Sequence, residues 1–172
     1  MDNPTHKRAL TLAGLICGSL LTATTCLAGH TNPVLKANLE GSAMVGSEGD
    51  RDGTGTGYVF GVDGDPTTLC YVIVVSEIEM VPVKEGMAAH IHEARQGENG
   101  DVVANLAGPE DGNAGDCLTE GEKGKFPTGE SGIVQRILQN PEEFYINVHN
   151  PDFEKGAIRG QLMETHGHSH EM

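Results

Sequence analysis

Tryptophan is absent from this 172-residue chain, and aromatic residues make up only 4% of it. Long helical periodicity is also scarce, which argues against a helical bundle. Bases are few: 11 Lys and Arg stand against 25 Asp and Glu, for a formal net charge of −14. Such a balance speaks against nucleic acid and anionic membrane as partners. It suits a soluble extracytoplasmic protein or a surface that collects cations. No nucleophile motif and no phosphate-binding loop occurs. "GVDGDP" and "EGDRDG" are rich in Asp and Gly but lack the fixed ligand positions and closing glutamate of a calcium-binding EF-hand loop, so they read as hairpin turns.

Beyond the N-terminus no run is apolar and long enough to cross a membrane. The N-terminus itself opens with Lys7 and Arg8 and continues apolar from Ala9 to about Ala28, ending in small residues. This is the layout of a secretory signal peptide over residues 1–28, with the cut expected after Ala28. The alternatives are an uncleaved anchor helix and lipid attachment at Cys26, to which Ala23-Thr24-Thr25 is a poor lead-in. Cleavage removes Asp2, Lys7 and Arg8 and leaves 9 basic against 24 acidic residues. No membrane partner is then expected, and the location is periplasmic or secreted. Two cysteines remain, Cys70 and Cys117. In an oxidising compartment they most simply form one disulfide; two separate free thiols are the other reading.

What the chain has in quantity is glycine, with 24 residues, and short stretches of period-two alternation. Strands are expected at 34–41, 55–62, 67–76, 86–94, 101–107, 143–150 and 156–164. Strong breakers separate them, among them "RQGENG", "GPEDGNAGD" and "EGEKGKFPTGESG". One short helix fits 132–140, with Ile133, Ile137 and Leu138 on one face and Pro141 ending it. The pattern predicts an all-β, immunoglobulin-like antiparallel β-sandwich with one short helix. It is followed by a polar tail, 164–172, that is flexible unless something binds it.

Alternation also assigns faces. In "MAAHIHE", His90 and His92 share a face with Ala88, while Met87, Ala89 and Ile91 take the other. In "FYINVHN", Phe144, Ile146 and Val148 oppose Tyr145, Asn147 and His149. The bulky apolar residues must face the core, so all three histidines point away from it. Imidazoles at i and i+2 leave a strand about 7 Å apart and can converge on one metal ion. A third from another strand would complete a three-nitrogen site with an open position, suited to copper or zinc. Surface histidines that merely decorate two strands are the bland alternative.

"AAHIHEARQGENGDVVANL", "GDC" and "NPEEFYINVHNPDFEKGAIRGQL", in this order and spacing, resemble the CHRD domain, a module first described in chordin. The resemblance covers about residues 34–163. It implies a fold more than a function: the chordin module belongs to an extracellular protein that binds growth factors, so a metal-free adhesion or protein-binding role is one expectation. The arrangement is also similar to copper-zinc superoxide dismutase, another β-sandwich, in which a His-x-His strand and a late Val-His strand supply copper ligands. That likeness implies a copper site at His90, His92 and His149, with Arg159 as a guide for an incoming anion. A bridging histidine and zinc ligands have no counterpart between His92 and His149. Only carboxylates such as Asp101, Asp111 and Asp116 stand there, which leaves a copper-only or non-catalytic site.

Secondary metal candidates lie at the ends. A mature chain beginning Gly29-His30, or Ala28-Gly29-His30, joins a terminal amine to the His30 imidazole, a pairing that chelates copper(II). His166, His168 and His170 alternate in the tail, where such tracts often capture metal. An incidental terminal histidine and a merely solvated tail are the plainer readings of both. The expected protein is therefore an exported metal binder. Copper storage or delivery and superoxide dismutation are its two roles, and its protein partner is unknown.

Overall fold

The computed structural model describes residues 32–165. The expected signal peptide over residues 1–28, His30 and the tail histidines His166, His168 and His170 lie outside them. Nine strands form: β1 (Val34–Glu40), β2 (Thr54–Val62), β3 (Asp65–Ser76), β4 (Ala88–Glu93), β5 (Val102–Leu106), β6 (Asn113–Thr119), β7 (Phe144–His149), β8 (Ile158–Gln161) and β9 (Met163–Glu164). One α-helix, α1 (Ile133–Gln139), precedes β7. The all-β domain with a single short helix expected from the sequence is what the chain builds.

The two faces of the sandwich are halves of one continuous antiparallel sheet, ordered β5-β4-β7-β8-β1-β2-β3-β6 and curled almost into a barrel; β9 also pairs with β1. The seam is narrow: β1 and β8 share the single register pair Glu40–Arg159. Across the core the halves meet closely. A Cβ placed on Gly57 of β2 would stand 2.5 Å from Cδ1 of Ile146 on β7, so glycine there lets the two layers approach. On the open side, the β5 edge is closed by the turn after β6, where Asn105 N–H donates to the Lys125 carbonyl at 2.8 Å.

The alternation read from sequence sorts the side chains as expected. Leu35, Ala37 and Leu39 of β1, Leu69, Tyr71 and Ile73 of β3, Ala89 and Ile91 of β4, and Ile146 and Val148 of β7 are all buried in one core. Helix α1 closes one end of it with Ile133, Val134, Ile137 and Leu138. The helix has no capping side chain of its own. Glu120 supplies the cap from a distance, accepting from Gly132 N–H at 2.8 Å and Val134 N–H at 2.9 Å.

Strand β6 starts inside the breaker "GPEDGNAGD" and runs on to Thr119, a stretch with no strand expected from the sequence. Only Leu118 of its seven residues is buried, so no apolar alternation announces it. It is held as an edge strand by its register with β3, in which Cys70 lies directly opposite Cys117, and the two form a disulfide. Closing a loop of 47 residues stabilises the fold by about 4 kcal/mol on the chain-entropy account.

Candidate metal centre

Strands β4 and β7 are antiparallel neighbours, with Ala88 opposite His149, His90 opposite Asn147 and His92 opposite Tyr145. That register brings together His90, His92 and His149, residues far apart in sequence. Met87, Ala89 and Ile91 are fully buried on the opposite face of β4, which fixes the histidines to the outer one. There the rings are half-buried among themselves and the loops above. Ring centroids lie 5.0 Å apart for His90 and His149, 5.7 Å for His90 and His92, and 6.5 Å for His92 and His149. One ring nitrogen from each residue lies within 4.8 Å of the other two. A filled shell with bonds of about 2 Å needs neighbouring nitrogens ~3–4 Å apart, so the rings would have to draw closer to close on an ion.

The hydrogen bonds decide which nitrogens are free. His92 Nδ1 lies 2.9 Å from the Gly100 carbonyl, and His149 Nδ1 lies 2.9 Å from the Glu154 carbonyl. A carbonyl can only accept, so each Nδ1 carries the proton and each Nε2 presents a lone pair. Those two Nε2 atoms, together with His90 Nδ1, are buried and have no hydrogen-bond partner. Buried ring nitrogens without partners are unfavourable unless something electron-poor meets their lone pairs. The backbone carbonyls act as the outer partners that orient ligating imidazoles in metal sites.

Burial favours the uncharged form of His90 and His92. It pulls the His90 pKa from 6.5 to about 4, aided by the neighbouring His149 and His92. Burial also lowers that of His92, partly offset by the Gly100 carbonyl. Near neutral pH the lone pairs of both are therefore available.

A cavity of about 330 Å³ opens beside the cluster, lined by His92, His149, Tyr145, Asn147, Lys155 and Arg159 and roofed by residues 44–47. Two bases and no carboxylate line it, a local reversal of the chain's acidic balance. Arg159 faces this side but is only 2% exposed. Its guanidinium donates to the Glu98 carbonyl at 2.6 Å and to Asn99 Oδ1 at 3.0 Å, and stacks 3.5 Å from the Tyr145 ring centre. Tyr145 in turn stacks on His92, with centroids 4.8 Å apart and planes 7° from parallel.

A family model for the CHRD domain matches residues 35–162. The chain belongs to the CHRD domain family. Curated proteins and solved structures gave no match, so the likeness to superoxide dismutase rests on strand pattern and histidine order alone. The CHRD domain of this chain thus carries a three-histidine cluster that can hold a metal ion. Sequence reasoning reached the three histidines through their faces. It missed Tyr145 as a stacking partner, although its face was legible. It also missed the carbonyls of Gly100 and Glu154, for which no side-chain signal exists.

Proposed function

We propose that this is an exported CHRD-domain protein that binds copper through His90 Nδ1, His92 Nε2 and His149 Nε2. One observation carries the reading: three buried, unpartnered ring nitrogens on histidines that bring ligand atoms within 4.8 Å of one another, two of the rings held by main-chain acceptors on the far side. Imidazole ligands suit copper and zinc alike, and copper stands higher in affinity order for such donors. Bound there, copper would supply a redox couple for superoxide dismutation, or simply be held for storage and delivery. The basic cavity offers a small anion the field of Lys155 and Arg159, though the Arg159 donors already face the loop. The disulfide fits an oxidising compartment, in keeping with a cleaved leader. No helix among the described residues is long and apolar enough to cross a membrane.

The test is copper stoichiometry of the mature protein with His30, His166, His168 and His170 replaced by alanine. One tightly held ion is expected, and His149→Ala should release it. A superoxide assay on the loaded protein then separates enzyme from binder, activity no higher than free copper marking a binder. A metal-free binding module is the second reading. It is favoured by Tyr58, Val72 and Val74, apolar and exposed on the outer face of β2 and β3. Absence of any copper bound by the quadruple variant would select it.

A further inference from the structure

Arg159 is a buried cation without a carboxylate within ion-pair distance among the described residues. Burying a charge is costly, and an apolar side chain of similar size would fill the space more cheaply. Its surroundings show what the charge holds. The guanidinium donates to the carbonyls of Glu98 and, at 3.5 Å, Arg95, and to the side chain of Asn99. All three belong to the loop between β4 and β5. The next residue, Gly100, delivers the carbonyl that fixes His92 Nδ1. Gly100 N–H points to the Tyr145 hydroxyl at 3.4 Å. The Tyr145 ring lies against both the guanidinium and His92. Two routes therefore run from Arg159 to the same imidazole: one through the loop, one through a stack of guanidinium, phenol and imidazole.

We propose that Arg159 is a positioning residue for His92, setting that ring's orientation and proton placement through the 95–100 loop and through Tyr145. The inference rests on the copper reading above and gives Arg159 a role distinct from meeting an anion. The loop is secured at its far side too, where Asn99 Nδ2 donates to the Val45 carbonyl at 2.9 Å. Gly100 admits no side chain, since a Cβ would lie 1.7 Å from the Glu93 carbonyl oxygen. The loop presents its carbonyl to His92 from this tight conformation, and the Arg159 fork grips it at residues 95, 98 and 99.

The test is a double-mutant cycle on copper affinity in the mature protein with His30, His166, His168 and His170 replaced by alanine, measured by competition with a chelator, with the copper(II) electron paramagnetic resonance spectrum recorded in parallel. Arg159→Gln should weaken copper binding about tenfold and alter the spectrum, the size typical of removing an outer partner of a metal ligand. In a His92→Ala background the same substitution should add nothing, because its effect passes through the missing ring. Tyr145→Leu, which removes the stack and spares the Arg159 bonds to the loop, should behave likewise, and Arg159→Lys, which keeps the charge but loses the planar fork, decides the matter if Arg159→Gln does not fold. Equal losses with and without His92, or an unchanged spectrum in the folded variants, would overturn the inference. If the parent protein binds no copper at the strand histidines, the copper reading itself falls; if it binds copper and the cycle is additive, only the role of Arg159 falls.

Discussion

If copper binds as proposed, replacing His149 by alanine should erase the stabilisation it gives while leaving the fold itself standing. A ligand at 100 times its Kd stabilises a native state by about 2.7 kcal/mol. For a domain of this size each kcal/mol is worth roughly 3–4 °C in Tm, so copper should raise Tm by about 10 °C. Without His149 two nitrogens remain. A hundredfold weaker site at the same copper concentration is only half filled and contributes about 0.4 kcal/mol, or 1–2 °C. The apo variant loses the bond from His149 Nδ1 to the Glu154 carbonyl, worth about 1 kcal/mol, so its own melt should fall by only a few degrees. Differential scanning calorimetry with and without copper, on the protein lacking His30 and the tail histidines, separates the two effects. A variant that keeps the full copper increment would refute the three-nitrogen site, as would a parent that shows none.

The disulfide and the acid response offer two further checks. Reduction, or Cys70→Ser with Cys117→Ser, should lower the unfolding free energy by about 4 kcal/mol in urea titrations, and a loss below about 1 kcal/mol would contradict the loop-closure account. In the apo protein His90 titrates at about 4 against its ordinary 6.5. Its contribution is thus complete above pH 6.5 and is lost as pH falls towards 4, because the unfolded chain takes up a proton that the folded chain refuses. His92 is shifted in the same direction. The apo protein should therefore lose stability over this window, and His90→Gln should flatten the slope. An unchanged slope would mean that His90 is not desolvated.

Much of this architecture could be read in the sequence, and what could not has identifiable causes. Strands such as β4 and β7 alternate in sequence because one face packs into the core, although Tyr145 and Asn147 on the other face of β7 are buried as well, and the same alternation placed all three histidines outside the core. Strand β6 buries only Leu118 and owes its existence to pairing with β3, which is a non-local fact. Likewise, alternation says that His149 faces outward but not that β7 lies beside β4 in a register that sets Ala88 opposite it. The breaker "RQGENG" read as a turn to the next strand, and it is one. Its additional task of supplying a carbonyl to His92 leaves no trace in side-chain identity.

The acceptors behind His92 and His149 are main-chain oxygens, and this shapes how the site can change over time. Any residue at position 154 would present the same oxygen, so drift in side-chain identity there leaves the His149 ring where it is. Position 100 is narrower, because only glycine fits against Glu93. Inserting or deleting a single residue in either loop, by contrast, would withdraw the acceptor and let the ring turn. The site is therefore protected against many substitutions but exposed to changes in loop length. Among related chains that keep the three histidines, the spacing from His92 to position 100 and from His149 to position 154 should separate those that hold a metal ion from those that do not.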